Sequence, residues 1–235
     1  MDIQQYIDID KQLMLSIQGS DSLFWDGFMW IATTTVVWIP AALMLLYIII
    51  KNNKIQESLT IVLLIALLIT MADQFASGLC KPYFQRFRPT QDPEFMHMMD
   101  IVNGYRGGKF GFISSHAANT FALSTFLSLI IRKASFSTAM FSWAVLCSFS
   151  RIYLGVHYPG DILCGTIAGV LVGFIVYFIY KCISKRYFYK AKCISDQYTK
   201  SGYLKSDLHL LYIVLLLTYF MVIVIGMVST HTLDL

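Results

Sequence analysis

Three short blocks of the sequence carry side chains that could bind a phosphate group and transfer it. The first block runs from Lys81 to Pro89, the second from Ser114 to His116, and the third from Ser150 to Asp161. Arginine offers a planar fork to two phosphate oxygens, and lysine supplies a compact positive charge. A histidine held by a carboxylate can act as a nucleophile or exchange protons. Together the blocks contain the groups that a phosphate-transfer site needs.

The first two blocks are typical of an anion site. Lys81 and Arg88 are seven residues apart, so on a helix they would project from nearly the same side, and Pro89 would end that helix. Ser114 is placed to cap the start of a helix, where free N–H groups and the helix dipole favour an anion. His116 would then lie in the first turn, next to that anion. Lipid headgroup contacts for the basic residues, and a structural role for the histidine, are the alternatives.

The third block adds a candidate nucleophile. Asp161 follows His157 by four residues, close enough to hold one imidazole nitrogen and leave the other free to react. Arg151 adds another cation, and Pro159-Gly160 is expected to form the tight turn between two helices. A plain buried ion pair at this position would be costly at a membrane edge.

The composition indicates that a membrane protein carries these blocks. The chain has 235 residues, of which 57% are hydrophobic and 14% charged, whereas soluble domains contain about 45–50% apolar and about 25% charged residues. These figures exclude an ordinary soluble domain as well as disordered, collagen-like and disulfide-stapled chains. No cysteine or acidic cluster has metal-ligand spacing. We therefore expect one integral membrane domain over residues 1–235, without a metal or other cofactor and without nucleic-acid or obligate protein partners.

Apolar segments predict an all-α bundle of six transmembrane helices. A bilayer core of about 30 Å needs about 20 apolar residues of helix, and the predicted spans are 27–50, 59–78, 112–131, the shorter 135–150, 162–180 and 209–228. Residues 1–26 mix acids with apolar residues at irregular helical spacing. We interpret them as a helix lying on the membrane surface, with a frayed terminus as the alternative.

The distribution of Lys and Arg predicts the topology. Positive charge accumulates on the cytoplasmic side of membrane proteins. Eleven basic residues fall on one side: Lys51, Lys54, Arg132, Lys133, Lys181, Lys185, Arg186, Lys190, Lys192, Lys200 and Lys205. Seven fall on the other: Lys11, Lys81, Arg86, Arg88, Arg106, Lys109 and Arg151. Residues 184–207 would then be a basic cytoplasmic loop, and residues 81–113 an outer active-site loop.

The order and spacing of the three blocks resemble a known signature. Lys81 is followed after six residues by Arg88-Pro89, then come Ser114-Ser115-His116, and then Ser150-Arg151, five residues, His157, three residues and Asp161. This resembles the three-part signature of the type 2 phosphatidic acid phosphatase superfamily, from the second predicted span to the fifth. In the middle block, Ile113 and Ser115 stand where the family usually has Pro and Gly.

The resemblance implies a metal-independent phosphatase with a phosphohistidine intermediate. It assigns catalytic roles to His157 as nucleophile, Asp161 as its orienting group and His116 as general acid and base. It also implies phosphate binding by five residues: Lys81, Arg88, Ser114, Ser115 and Arg151. The protein would lie in the bacterial inner membrane, with its site facing outward and a lipid phosphate as substrate.

The sequence leaves the substrate open. An outward-facing site favours undecaprenyl diphosphate, with lipid A dephosphorylation or lipid-to-lipid phosphate transfer, and phosphatidylglycerophosphate or phosphatidate, as alternatives. A six-helix carrier or channel would explain the spans but not three ordered blocks on one side, and the related vanadate haloperoxidases are soluble. Two features stay open: Asp73 either anchors a site cation or bonds a hydroxyl on another helix, and residues 103–112 form either a lid or a packed loop.

Overall fold

The computed structural model describes residues 3–18, 20, 22–188 and 195–231, which form nine α-helices connected by loops and short helical turns. The helices are α1 (Ile3–Ile17), α2 (Leu23–Thr33), α3 (Ile39–Asn52), α4 (Ile55–Asp73), α5 (Lys81–Phe84), α6 (Ser115–Ile131), α7 (Ala134–Tyr153), α8 (Pro159–Tyr187) and α9 (Lys205–His231). A π-helical stretch, Gln74–Cys80, joins α4 to α5. Extended pairing in these ranges is limited to two isolated bridges, so the all-α prediction is confirmed.

The first predicted span, 27–50, is wrong as one continuous helix. Helix α2 ends at Thr33, Thr34 is extended at φ −77° and ψ 123°, and a 3₁₀ turn, Thr35–Trp38, leads into α3. The hydroxyl of Thr34 donates to the Trp30 carbonyl at 3.0 Å, and Pro40 follows in the first turn of α3. Three successive threonines and a proline disfavour an unbroken helix here, because threonine competes for backbone hydrogen bonds and proline lacks a donor.

Four of the described helical segments are long and apolar enough to cross a membrane: Thr35–Asn52, Ile55–Phe84, Pro159–Tyr187 and Lys205–Val228. The apolar helix α6 is shorter, and α7 carries serines and Arg151 along its 20 residues. The protein is thus membrane-embedded, whereas the count of six spans stays a prediction.

The long helices run alternately up and down, which gathers the three blocks at one end of the bundle. At the opposite end, Lys51 of α3 binds Asp207 of α9 at 2.7 Å, and Ser201 donates to the last residue of α6. At the block-bearing end, Tyr153 of α7 donates to Asp26 of α2 at 2.7 Å. Since sequential helices reverse direction, the end of the α4 pass, the start of α6 and the α7–α8 connection meet.

Helices α6 and α8 approach each other backbone to backbone. Gly165, Gly169 and Gly173 recur every four residues along one face of α8, and a Cβ on any of them would collide with α6. A hypothetical Cβ on Gly165 would lie 2.5 Å from the Ser114 carbonyl oxygen. Small residues at this spacing let two membrane helices approach backbone to backbone. This pairing fixes the start of α6 against the start of α8.

Both ends of the predicted basic loop need correction. The basic loop is shorter than 184–207, because α8 continues to Tyr187 and α9 already begins at Lys205. Lys190 and Lys192 of that loop lie outside the described residues.

Helix α1 lies beside the block-bearing end, with Tyr6, Ile9 and Leu13 exposed and Met14 fully buried.

Candidate active site

Lys81 lies at the junction where the π-helical stretch passes into α5. Its ammonium donates to Ser77 Oγ at 2.9 Å and to Ser115 Oγ of α6 at 3.2 Å. The Ser77 hydroxyl in turn donates to Asp73 Oδ1 at 3.2 Å. The Ser77 hydroxyl therefore links Asp73 to Lys81, as expected of an acid that anchors a site cation. The hydroxyl that Asp73 binds lies four residues along its own helical pass, and not on another helix. A π-helical insertion often accompanies a functional site, and this one precedes the lysine.

Arg88 reaches the site from a loop and not from the predicted helix. Helix α5 ends at Phe84, and Gln85 takes the left-handed conformation at φ 47°, so Lys81 and Arg88 do not share a helix face and Pro89 is not what ends the helix. The Arg88 Nε donates to the Phe110 carbonyl at 3.1 Å. Gly107, at φ +66°, lies directly against the guanidinium and leaves no space for a Cβ. The backbone of the following loop thus sets the direction of Arg88.

Arg151 is buried and held from two sides. Its guanidinium donates to Thr33 Oγ1 of α2 at 2.8 Å and to the Tyr105 hydroxyl at 3.1 Å. Tyr105 also places its ring 5.5 Å from the guanidinium carbon. Residues 103–112 therefore pack onto two arginines, Arg88 and Arg151, in the manner of a packed loop.

The start of α6 has the predicted cap. Ser114 is the N-cap residue, and its Oγ accepts a hydrogen bond from the Ala117 N–H at 3.4 Å. The Ser114 N–H donates to the Asp161 carbonyl at 3.1 Å, which ties this helix start to α8. Ser115 Oγ accepts a hydrogen bond from Lys81, and the electrostatic neighbours of His116 are Arg151, His157, Arg88 and Lys81.

His157 and Asp161 form a buried pair. The His157 Nδ1 lies 3.5 Å from Asp161 Oδ2, and the two side chains are 1% and 0% exposed. The other carboxylate contacts are the Tyr158 N–H, which donates to Oδ2 at 3.1 Å, and Arg86 Nη1, which donates to Oδ1 at 2.9 Å. Nδ1 is the ring nitrogen nearer the carboxylate, at a distance too long for a hydrogen bond in this structure.

The turn that presents His157 differs from the predicted one. Pro159 and Gly160 are the first residues of α8, where proline is favoured because its missing N–H would be unpaired anyway. The chain reverses earlier, at Gly155, whose φ is +70°. A left-handed residue between Leu154 and Val156 is the feature that needs glycine here.

The surroundings of His157 disfavour its protonated form. Burial, followed by the charges of Arg88, Arg151 and Lys81, lowers the pKa of His157 well below its ordinary value of 6.5. The imidazole is therefore uncharged at neutral pH and keeps its lone pair. Three cations close enough to exert this effect are also close enough to attract a phosphate.

Arg86, which the sequence predicts only as an outer basic charge, lies beside the His157–Asp161 pair. Its guanidinium binds Asp161 and stacks 4.2 Å from the Tyr158 ring centroid. The signal in the sequence is Arg86-Phe87-Arg88, because residues two apart in an extended segment lie on the same side, which puts Arg86 next to the predicted phosphate-binding Arg88. Throughout the described part of the chain, no group of three or more His, Cys, Asp or Glu residues gathers as a metal cluster would require.

Comparison with known proteins identifies the family of this arrangement. Residues 59–188 match the PAP2 superfamily. A lipid A 4′-phosphatase of Bacteroides thetaiotaomicron is 45% identical over 174 residues, covering 73% of this chain and 77% of the relative. A lipid A 4′-phosphatase of Porphyromonas gingivalis is 34% identical over 178 residues, covering 76% of this chain and 75% of the relative. A crystal structure of a Bacillus subtilis transmembrane PAP2-type phosphatidylglycerolphosphate phosphatase shares the fold, with a TM-score of 0.53, 19% identity and coverage of 79% and 87%.

Proposed function

The chain belongs to the PAP2 superfamily and is a phosphatase of lipid phosphates, and we propose that it removes the 4′-phosphate of lipid A. The observation that carries this proposal is the similarity over three quarters of the chain to two lipid A 4′-phosphatases. It favours lipid A, an alternative in the sequence analysis, over undecaprenyl diphosphate, which the predicted outward-facing site had favoured.

In the first half of the proposed reaction, His157 Nε2 attacks the phosphorus in line with the lipid oxygen. The P–O bond to the lipid breaks as the P–N bond of a phosphohistidine forms. His116, protonated once the phosphate dianion has bound beside it, donates that proton to the departing oxygen, so the lipid leaves as a neutral alcohol. Asp161, 3.5 Å from Nδ1, stabilises the positive charge that develops on the imidazole.

In the second half, His116 accepts a proton from a water molecule that attacks the phosphohistidine. The P–N bond breaks, inorganic phosphate is released, and both histidines return to their starting states. A well-placed proton donor and acceptor contributes about 10²–10⁴ to the rate of such a step.

The phosphate oxygens are held by fixed cations in the proposed mechanism. Arg88, Arg151 and Lys81 are each anchored through hydrogen bonds in the site. Ser114 and Ser115, at the start of α6, complete the phosphate-binding set. Because these groups are oriented before substrate binds, the charge that develops in the transition state needs little reorganisation.

The proposed membrane placement follows from the same end of the bundle. We infer six passes, with α2 and α3 together making the first, in a bacterial inner membrane with the site at the periplasmic face. Tyr6, Ile9 and Leu13 expose an apolar strip on α1, which supports an interfacial position for this helix. A headgroup phosphate at the interface could then enter the site while the acyl chains stay in lipid.

The test is metal-free hydrolysis by the purified protein in detergent micelles with EDTA. Lipid A, undecaprenyl diphosphate, phosphatidylglycerophosphate and phosphatidate are compared, and mass spectrometry identifies which phosphate of lipid A is lost. We expect release of inorganic phosphate from the 4′ position, abolished in His157→Gln and unchanged in His97→Gln, which alters an exposed loop histidine.

Two outcomes would overturn the proposal. Preferred hydrolysis of another of the four lipids would remove lipid A as the substrate, and full activity of His157→Gln would remove the phosphohistidine. Phosphate recovered on an acceptor lipid, instead of in solution, would identify a phosphotransferase.

A further inference from the structure

The carboxylate that orients His157 is itself held by residues outside the three blocks. Arg86 Nη1 donates to Asp161 Oδ1 at 2.9 Å, and Arg86 Nη2 donates to Asp10 Oδ2 of α1 at 2.7 Å. One guanidinium therefore bridges two carboxylates, one at the start of α8 and one on the N-terminal helix. Asp10 lies outside residues 59–188, the part of the chain that matches the family.

Asp10 makes a second contact, with the start of α8. Its Oδ1 accepts a hydrogen bond from the Gly160 N–H at 2.7 Å, in the first turn of α8. A Cβ on Gly160 would lie 2.7 Å from Asp10 Oδ2, so glycine at this position admits the carboxylate. An anion at a helix N-terminus is favourable both for its free N–H groups and for the helix dipole. Asp10 thus fixes the segment that carries Asp161 as well as the arginine that binds it.

Helix α1 is anchored well enough to impose this geometry. Met14 is fully buried in a cluster with Phe95 and Tyr158, next to Asp10 on the inward face of α1. Lys11 Nζ lies 3.3 Å from Asp92 Oδ2, which also accepts the Tyr158 hydroxyl at 3.2 Å. Apolar and ionic contacts therefore hold α1 against the residue next to His157.

Charge complementarity explains why the bridge needs both acids. Asp161 alone would neutralise Arg86 but would leave its Nη2 group without an acceptor. Asp10, at 9% exposure, supplies that acceptor. Bidentate use of both edges fixes the rotation of the guanidinium plane. The face of that plane is set by the Tyr158 ring, 4.2 Å away. Asp161 Oδ1 therefore receives a hydrogen bond from a donor with almost no freedom to turn.

We propose that Asp10 and Arg86 are positioning residues that orient Asp161, and through it the nucleophile His157, so that α1 is a working part of the active site. The inference rests on the proposed phosphohistidine mechanism. Neither residue touches substrate in this proposal. Their loss lowers the rate of phosphohistidine formation and leaves substrate binding intact.

The test compares kcat, KM and the single-turnover rate of phosphohistidine formation in matched variants. Asp10→Asn keeps the shape of the side chain, and we expect kcat to fall about tenfold, the equivalent of one charge-assisted hydrogen bond, with KM within about twofold. Asp8→Asn makes the same change on the exposed face of α1 and is expected to behave as the wild type.

Arg86 supplies the second arm of the test. We expect Arg86→Ala to lower kcat about 10²-fold, as a misplacement of about 1 Å does, and Arg86→Lys to retain more activity than Arg86→Ala. Millimolar guanidinium should restore part of the rate of Arg86→Ala and have no effect on Arg186→Ala, which alters an exposed arginine on α8. A merely structural defect would not respond to added guanidinium.

The outcomes separate this inference from the proposed function. Inactive wild type, or active His157→Gln, would reject the proposed function. With those two behaving as expected, a wild-type kcat in Asp10→Asn, or a loss confined to KM, would overturn the positioning role. So would an Arg86→Ala defect that guanidinium does not relieve and that follows a fall in the melting midpoint.

Discussion

Substitution of Gly165 by alanine tests whether contact between α6 and α8 sets the catalytic geometry. A Cβ at this position would lie 2.5 Å from the Ser114 carbonyl oxygen, about 0.9 Å short of the 3.4 Å at which ordinary contact begins. The obstacle is backbone and cannot rotate away, so α6 must move relative to α8. Ser114, the N-cap residue of α6, would thereby be pushed away from the first turn of α8, which contains Asp161.

The magnitude of the expected effect follows from that displacement. A misplacement of about 1 Å costs about 10²-fold in rate when reacting groups must meet in line. Overpacking costs about 1–3 kcal/mol of stability, partly offset by the better helix propensity of alanine, about 1 kcal/mol. We therefore expect Gly165→Ala to remain folded, with kcat reduced about 100-fold and a melting midpoint only slightly lowered.

Gly173→Ala provides the matched control. Its Cβ would meet Thr125 Cβ at 2.7 Å and the Ala122 carbonyl at 2.8 Å, a similar clash about 12 Å further along α8. This variant should lose as much stability as Gly165→Ala but much less activity.

The assay is phosphate release from lipid A in micelles, with the melting midpoint measured on the same preparations. Gly165→Ala with kcat within about twofold of the wild type would refute the reasoning, and so would an equal loss of kcat in Gly173→Ala. Either result would mean that the approach of α6 to α8 serves folding alone.

Three further predictions concern single groups of the site. Asp161→Asn should lower the rate of phosphohistidine formation about 10²–10⁴-fold with little change in KM, and a wild-type single-turnover rate would contradict the orienting role. Because burial and the charge of Arg88 lower the pKa of His157 well below 6.5, its imidazole should stay neutral at pH 5.5 in ¹⁵N NMR spectra assigned with His157→Gln. In the unfolded chain His157 takes up a proton as the pH falls below about 6.5, whereas in the folded protein it stays neutral, so the free energy of unfolding should fall with pH in this range. The fall should be less steep in His157→Gln. Protonation of His157 in the folded protein near pH 6.5 would refute both expectations. Gly107→Ala, which forces a Cβ against the Arg88 guanidinium at a φ of +66°, should lower kcat/KM by about tenfold or more, equivalent to one hydrogen bond to a charged group, whereas Gly108→Ala, with open space around its Cβ, should not.

Much of the site could be predicted from the sequence because its chemistry depends on residue type and local spacing. A Ser at the start of an apolar helix is an N-cap wherever that helix lies, and Ser114 has this role. A carboxylate four residues after a histidine can reach its ring, and Asp161 lies 3.5 Å from His157. The shortage of charged residues likewise indicated a membrane protein, since lipid-facing surfaces exclude charge.

Local reasoning was wrong where the backbone departs from regular structure. The interval from Lys81 to Arg88 matches a helix face, yet the helix ends at Phe84 and a left-handed Gln85 redirects the chain. Pro159-Gly160 has the composition of a turn but begins α8, and Gly155 makes the reversal. Both segments have a composition that more than one local conformation accommodates, and contacts with the rest of the bundle select between them.

The sequence by itself determined which chemistry is available: two histidines, an aspartate and three cations in three blocks, on a chain too apolar to be soluble. Only the tertiary structure decided which charges serve which partner. Arg86 and Arg88 are two residues apart, yet the first binds Asp161 and Asp10 while the second binds the Phe110 carbonyl. No local rule separates them, because the partners of Arg86 lie 75 and 76 residues away along the chain. Long-range packing of α1 and α8 brings those carboxylates to one guanidinium, and the energy of a buried charge depends on such neighbours.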